Sequence, residues 1–281
     1  MKDKLLLISC VLVILAGLGL LLYPVIKTAA FRKAEQKAIS GYEQYRASGS
    51  AETTGQADPG KAEEPDPQEQ IPTEQGRPFL TLWEACLAYN RQLITGQRNR
   101  YSEASIKLPA IDLAALGWEQ EVFARLSIPA INMDVPLYLG ASAKNLDRGG
   151  AILGQTSLPI GGADTNCVIA GHRTWHGAVQ FVALEQLRVG DMVLLTNPWE
   201  TLVYEVIETK VITPDTLDDI MIQPGRELLS IFTCTRPNTR RFLVICERVR
   251  NLSQIGTDFS QKEFVPGWDA IRRDQPFRRF E

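Results

Sequence analysis

The sequence predicts a mainly β domain, a closed barrel or a sandwich, that follows an N-terminal transmembrane helix and a polar linker. Between about residues 118 and 250 the chain has seven runs of 7 to 13 residues rich in Val, Ile and Leu, separated by Pro, Gly or Asn. Runs of this length are typical of barrels and sandwiches and not of alternating βαβ units. At the N-terminus, nineteen consecutive residues carry no charge.

Composition limits the possible classes of function. The 281 residues, 44% of them hydrophobic, suffice for one core of about 150 residues with accessory segments. Five irregularly spaced cysteines without a Cys-x-x-Cys pair, and only two histidines, predict neither a disulfide framework nor a metal site. The formal net charge is −3, and the basic residues do not form the concentrated basic face that binds nucleic acid. We therefore expect no cofactor, no metal and no nucleic-acid partner.

Residues 1–26 are predicted to form a membrane anchor. Residues 5–23, "LLLISCVLVILAGLGLLLY", are long enough for a helix across a hydrocarbon core of about 30 Å. A cleaved signal peptide would have an apolar region of about 7 to 15 residues followed by a clear small-x-small site. The pattern thus favours a retained anchor, while the basic residues on both flanks mildly favour an internal C-terminal side.

Residues 27–77 are predicted to form a polar stalk and an acidic disordered linker. The stretch "FRKAEQKAISGYEQYRAS" is compatible with a short polar helix that lifts the chain off the membrane. Residues 48–76 contain seven acidic residues against one lysine, many Pro and Gly, and almost no large apolar residue. Such a segment cannot offset its ordering entropy by burial, so we expect it to provide reach and not packing.

The rest of the chain divides into an N-terminal helix and loop (78–117), the β domain (118–250) and a C-terminal tail (251–281). Apolar residues at helical spacing within 78–96 predict a docked amphipathic helix. A second helix is predicted over 178–187. The strand-like runs cover residues 121–128, 133–139, 166–172, 191–197, 201–213, 227–234 and 241–249.

One candidate site combines a thiol, an imidazole and a guanidinium at the ends of such runs. Cys234 ends one run, Arg240 and Arg241 begin the next, and His172 follows an earlier apolar run. A thiol with a pKa of about 8.5 is mostly protonated at neutral pH, and an adjacent imidazole and guanidinium favour the nucleophilic thiolate. Gly171 before the histidine allows the chain to turn there.

A cysteine in an apolar run is more often a small buried hydrophobe, and we apply that interpretation to Cys86, Cys167 and Cys246. Cys234 differs because Thr233 and Thr235 flank it and arginines follow across a short turn. These neighbouring residues alone do not decide whether the role of Cys234 is structural or functional.

The motifs "AGH" after an apolar run, "TC" at the end of a later run, and Arg-apolar-apolar-Val at the start of the next resemble the sortase family of Gram-positive cell-surface transpeptidases. The resemblance runs from about residue 78 to 250, and residues 125–181 are similar to class C sortases, which polymerise pilins. It implies an eight-stranded sortase barrel with short helices. It also implies a thiolate that cleaves the Thr–Gly bond of an LPxTG-like sorting signal through a thioacyl intermediate.

The resemblance also implies roles and partners. Cys234 would be the nucleophile, His172 the acid/base, and Arg241 the group that orients substrate and stabilises the oxyanion. Since neighbours on a strand point to opposite faces, only one of Arg240 and Arg241 can face Cys234, and the following "FLV" favours Arg241. Surface proteins or pilins with sorting signals would be donors, and a pilin lysine or a lipid-linked peptidoglycan precursor would supply the acceptor amine.

Three further residues are candidates for substrate binding, namely Thr233, Thr235 and His176. For His176, which follows the run that ends at His172, an exposed loop histidine is the alternative. The resemblance places the catalytic domain outside the cell on a single-pass anchor, and this outweighs the charge count at the anchor.

Class C sortases carry an Asp-Pro-aromatic lid over the active site. The corresponding segment here, residues 96–118, has Tyr101 and Asp112 but no aromatic residue after an Asp-Pro pair. We therefore expect these residues to form a mobile loop, and Cys234 to react without an activating event.

Two other classes of function compete with this interpretation. Papain-like and NlpC/P60-like hydrolases also use cysteine and histidine, but there the cysteine precedes the histidine, whereas His172 precedes Cys234 here. A non-catalytic, membrane-anchored adhesion or scaffold module would tolerate the loss of Cys234, and an enzyme would not.

Overall fold

The fold is described by a computed structural model that covers residues 2–54, 77–96, 102–175, 178–179, 181–216 and 218–250. The α-helices in these ranges are α1 (Lys2–Thr54), α2 (Leu80–Ile94) and α3 (Ala143–Leu146). The strands are β1 (Val122–Ile128), β2 (Met133–Leu139), β3 (Gly150–Ile152), β4 (Thr165–Ala170), β5 (Thr174–Trp175), β6 (Ala178–Val179), β7 (Met192–Thr196), β8 (Thr201–Ile212), β9 (Glu227–Cys234) and β10 (Arg241–Arg248).

Eight of these strands close into a barrel in the order β1, β2, β3, β4, β9, β10, β8, β7. Neighbouring strands are antiparallel except for the parallel pairs β2–β3 and β4–β9. These directions bring the ends of β4 and β9 and the starts of β2 and β10 to one end of the barrel, which we call the upper end. The end of β7 and the start of β1 lie at the lower end. The mainly β, eight-stranded barrel is thus confirmed.

The seven strands predicted from the sequence are all present, with boundaries that differ by one or two residues at most. β3 was missed because it has three residues and starts with glycine. The helix predicted over 178–187 is wrong. There β6 is followed by a 3₁₀ helix, Phe181–Gln186, and the backbone N–H groups of Phe181 and Val182 donate to the carbonyls of His172 and Arg173. These hydrogen bonds to the residues that follow β4 replace the hydrogen bonds of a first α-helical turn.

Strand β4 is buried along its whole length, because both of its faces are covered. Cys167 and Ile169 belong to the main apolar cluster of the barrel, whereas Val168 and Ala170 belong to a second cluster on the other face. A parallel strand buried on both sides reads as a continuous apolar run, as this sequence does. The strand that precedes His172 is therefore held from both sides.

The second half of α1 packs on the barrel, which contradicts the polar stalk predicted for this part of residues 27–77. Tyr42 is fully buried in the main apolar cluster and donates to the backbone oxygen of Thr196 at 3.1 Å. Nearby, Glu43 pairs with Arg125 at 3.3 Å, and Arg46 donates to the oxygen of Pro198 at 3.1 Å. The buried stripe on this helix is narrow and lies between many charged residues, so the sequence reads as a solvated helix.

An aromatic cluster joins α1 to a residue just before α2 and to a residue shortly before β1. Tyr45, Phe79 and Trp118 form it, with ring centroids of Tyr45 and Trp118 4.9 Å apart and those of Phe79 and Trp118 5.0 Å apart. The Trp118 indole N–H donates to the oxygen of Val122, the first residue of β1. The cluster therefore covers the lower end of the barrel. The disorder predicted for the acidic linker and the predicted tail over 251–281 lie outside the described residues, apart from the start of the linker, which continues α1.

The mobile loop predicted for residues 96–118 is wrong for its described part, residues 102–118. The carbonyl of Ile106 accepts bonds from the N–H groups of Ala141 and Gly154, at 2.9 and 3.1 Å. Ala141 follows β2 and Gly154 follows β3, so the segment is attached to the lower end, away from Cys234. A Cβ on Gly154 would come within 2.3 Å of the backbone oxygen of Ser105. This close approach of two backbones needs glycine.

The packing of α1 predicts that removal of this helix destabilises the barrel. A chain that begins at Arg77 should unfold at a lower temperature than one that begins at Thr28, since only the second retains Tyr42. In the longer chain, Tyr42→Ala should cost roughly 3 to 5 kcal/mol, the range for truncation of a large buried aromatic side chain. Thermal and urea unfolding measure both effects, with Gln44→Ala on the exposed face of α1 as the control. Equal unfolding temperatures for the two chains would contradict this packing.

Candidate active site

Cys234 is the last residue of β9, and Arg241, the first residue of β10, is its direct partner across the antiparallel pair. Side chains of directly opposed residues on such a pair lie on the same face of the sheet. The register therefore places Arg241 on the face of Cys234, and Arg240 precedes the paired residues. Cys234 is partly exposed at the upper end. The Arg241 guanidinium donates to the backbone oxygens of Asn238 and Arg240, at 3.4 and 3.1 Å.

His172 lies beside this pair because β4 and β9 are parallel and in register. Ala170 pairs with Phe232, and the next residue, Gly171, donates its N–H to the oxygen of Phe232 at 3.2 Å. Two residues beyond the Ala170–Phe232 pair, along each chain, come His172 and Cys234. The upper ends of β4, β9 and β10 thus carry the imidazole, the thiol and the guanidinium on three neighbouring strands.

Thr233 is a buried residue that links two strands, whereas the sequence had predicted a contact with substrate. Its side chain is 1% exposed, and its hydroxyl donates to the oxygen of Gly171 at 2.9 Å. This bond fixes the residue before His172 to the residue before Cys234. Thr235 closes the β9–β10 turn: its N–H donates to Arg240 O at 3.0 Å and its hydroxyl to Pro237 O at 2.9 Å. His176 lies outside the described residues.

Gly171 is required by packing and not by an unusual backbone angle. A Cβ at this position would lie 2.2 Å from two carbons of the Phe181 ring. Phe181 is buried, and its N–H donates to the oxygen of His172 at 3.0 Å. The Phe181 ring therefore packs directly against the strand end that carries the imidazole. The sequence had indicated only a turn at Gly171.

Asp147 is a further residue of the site that the sequence did not reveal. It follows α3 on the connection to β3, and its Oδ1 atom lies 3.5 Å from Nε2 of His172. Oδ1 is itself buried, although about a third of the side chain is exposed. No motif links "LDRGG" to the histidine, because the antiparallel pairing of β3 with β4 brings the two residues together.

The buried cysteines behave as predicted. Cys86, Cys167 and Cys246 are all at most 2% exposed and belong to the main apolar cluster. Burial raises the pKa of the Cys86 thiol to about 12, and it raises the pKa of Cys167 and Cys246 as well. Desolvation thus disfavours the thiolate at these positions. Among the described residues, no group of three His, Cys, Asp or Glu side chains is placed to hold a metal ion.

These features define a closed β-barrel protein with a cysteine, a histidine and an arginine on one rim. The chain belongs to the sortase family. The sortase domain model matches residues 126–249, from β1 to the residue after β10.

Solved structures of class C sortases are similar to this chain. Sortase C1 of GBS pilus island 1 is 32% identical, with a TM-score of 0.55, over 60% of this chain and 87% of the other. Sortase C from Clostridium perfringens SM101 is 28% identical, with a TM-score of 0.51, over 65% of this chain and 93% of the other. Their pilus-type sortase fold is also the fold of this chain.

The curated relatives belong to other named types. Sortase A of Bacillus anthracis is 26% identical over 128 residues, which cover 45% of this chain and 59% of that protein. The chain spans a little over half the length of the curated relatives it matches.

The register of the β9–β10 pair predicts different effects for the two adjacent arginines. In the role that the sortase resemblance implies, Arg241 donates to the oxyanion, and Arg241→Ala should then lower kcat/KM for an LPxTG-like peptide by at least about 10². Arg240→Ala serves as the matched control and should stay near the activity of the unmodified chain. Peptide cleavage by purified variants measures both. A larger loss in Arg240→Ala would mean that the register is shifted by one residue.

Proposed function

We propose that this protein is a membrane-anchored cysteine transpeptidase that cleaves LPxTG-like sorting signals and transfers the acyl group to an amine. The observation that carries the proposal is the cross-strand pair of Cys234 and Arg241 with His172 on the adjacent parallel strand. A nucleophile, an acid/base and an oxyanion donor on rigid strand ends are the parts that acyl transfer needs.

The chemistry follows from these three groups. The thiolate of Cys234 attacks the carbonyl carbon of the Thr–Gly peptide bond, and the guanidinium of Arg241 stabilises the negative charge on the carbonyl oxygen. When the C–N bond breaks, protonated His172 gives its proton to the leaving amine of glycine, so a thioester and a free amine result. The acceptor amine then attacks the thioester, loses its proton to His172, and releases the Cys234 thiolate with a new amide bond.

The donor substrates in this proposal are surface proteins or pilins that bear sorting signals. The solved relatives include a pilus-related sortase C of Group B Streptococcus, which supports a pilin lysine as acceptor. The curated relatives are named sortase A and sortase D, which keeps a lipid-linked peptidoglycan precursor as the second candidate.

The proposed location is the cell membrane, with the barrel outside the cell. Among the described residues, α1 is the helix long and apolar enough to cross a bilayer, and its apolar part is almost entirely exposed. Large apolar side chains exposed along a whole helix are expected where lipid surrounds it. Sorting signals displayed on the cell surface require the catalytic barrel on the outer side.

A non-catalytic adhesion or scaffold module is the second candidate. It would account for the anchor and the barrel, but not for a partly exposed thiol paired with an arginine next to a histidine. The membership in the sortase family also leaves a cysteine hydrolase of another family without support.

We assign Asp147 a positioning role in this reaction. A carboxylate near one nitrogen of an imidazole selects the ring's orientation and stabilises its protonated form, as in other acid/base sites. Asp147 approaches His172 from the α3–β3 connection, whereas Cys234 lies on the opposite neighbour of β4. In this proposal, the imidazole acts between the Asp147 carboxylate and the Cys234 thiol.

Loss of the thiol tests the proposed function. Cys234→Ala should abolish cleavage of an LPxTG-like peptide while the unfolding temperature stays nearly unchanged, because the residue is partly exposed and little core volume is lost. A methanethiosulfonate reagent should label Cys234, and labelling should fall in His172→Ala. Cys10→Ser, in the apolar stretch, is the control for labelling. Retained transpeptidation in Cys234→Ala would refute the assignment.

Loss of the Asp147 carboxylate should change kcat and not KM. Asp147→Asn should lower kcat about tenfold, because the histidine loses its orienting charge while peptide binding is unaffected. Glu121→Gln is the matched control, since Glu121 pairs with Arg148, the residue that follows Asp147. Steady-state kinetics with a fluorogenic peptide separate the two parameters. An unchanged kcat, or a rise in KM alone, would remove Asp147 from the site.

A further inference from the structure

The direction of α1 along the barrel relates the active site to the membrane. Gln36 of α1 donates to Asp134, the second residue of β2, at 3.4 Å. Tyr42 bonds to Thr196, the last residue of β7, and Arg46 bonds to Pro198 beyond it. Since β2 starts at the upper end and β7 finishes at the lower end, α1 runs down the barrel from the upper end. Its apolar N-terminal stretch therefore extends beyond the upper end of the barrel, which is the end that carries Cys234.

The spacing along α1 places the membrane boundary close to this upper end. Tyr23 ends the apolar stretch, and the ammonium of Lys27 lies 5.6 Å from the centre of its ring. Tyrosine is common at membrane interfaces, and lysine extends its charge towards the headgroups. At 1.5 Å per residue, Tyr23 is about 20 Å from Gln36 but about 35 Å from Arg46. α1 also contacts β6, which belongs to the hairpin that follows His172.

The β9–β10 turn at the upper end is basic. Arg236 and Arg240 are exposed, and Arg241 lies in the same six residues. In the described part of the chain, none of these arginines forms an ion pair with a carboxylate. Clustered arginines near a membrane are attracted by anionic headgroups.

We propose that the upper end of the barrel faces the bilayer and that Arg236 and Arg240 of the β9–β10 turn contact anionic lipid headgroups. This inference rests on the membrane anchoring in the proposed function. Its consequence is that Cys234 works within a short distance of the lipid surface, on substrates held at the membrane. A barrel carried on a long flexible linker would have no such preferred orientation, but α1 is continuous from the apolar stretch to Tyr42.

Fluorescence quenching in nanodiscs tests the orientation. The full chain with Cys10→Ser and Cys234→Ala, which keeps only buried cysteines, receives one further cysteine for a fluorophore. Thr239→Cys places the label on the β9–β10 turn, and Ala115→Cys places it on an exposed position at the lower end. The discs contain phosphatidylglycerol and a lipid with a nitroxide on its headgroup. We expect at least about twofold quenching at position 239 and almost none at position 115.

The arginines are tested in the same discs. Arg236→Ala with Arg240→Ala should reduce the quenching at position 239 to the level found in discs of phosphatidylcholine, and high salt should act in the same direction. Equal quenching at both positions, or stronger quenching at 115, would overturn the orientation. Quenching that is insensitive to the arginines, to the lipid charge and to salt would overturn the headgroup contact.

Two controls separate this inference from the proposed function. A chain that does not enter the discs would refute the anchor. Peptide cleavage by the chain with Cys234 present, measured in the same discs, tests the transpeptidase independently of orientation. Cleavage together with disc insertion and no quenching at position 239 would overturn the inference and leave the proposed function intact.

Discussion

The parallel pairing of β4 with β9 is the constraint on which the site depends. For two neighbouring strands, only a parallel pair brings both strand ends, and hence His172 and Cys234, to the same rim. The antiparallel return of β10 then adds Arg241 directly opposite the cysteine. Because β4 is buried on both faces and Thr233 bonds to Gly171, these strand ends have little freedom to separate. In the proposed reaction, a nucleophile and its acid/base need such fixed spacing.

The lower end of the barrel is where the accessory segments pack. There α1, α2 and residues 102–118 converge on one aromatic cluster around Trp118, so segments far apart in the sequence share a single core. These accessory segments thus pack away from the rim that carries Cys234. In the proposed function, the exposed side chains of that rim are available to substrates, which is a common division between scaffold and functional loops.

The resemblance to pilus-type sortases extends to the fold but not to a lid motif. The described residues 102–118 are bound to the lower end through Ile106, where they cannot cover Cys234. In our proposal, access to the thiol is limited instead by the membrane, since α1 holds the rim near the lipid surface. The chemistry and the location of the enzyme would then be linked by one helix.

Local alternation predicted seven of the eight barrel strands and the apolar N-terminal stretch, and short motifs that resemble the sortase family singled out His172, Cys234 and Arg241 as a candidate site. Features that depend on contacts between distant segments became apparent only in the folded chain. The docking of α1 through Tyr42 arises from packing of the helix on the barrel, and the buried hydroxyl of Thr233 and the approach of Asp147 to His172 arise from strand pairing. Each of these residues has ordinary neighbours in sequence. Its role appears only when the closed sheet brings a remote partner within a few ångströms, and a local pattern contains no information on that distance.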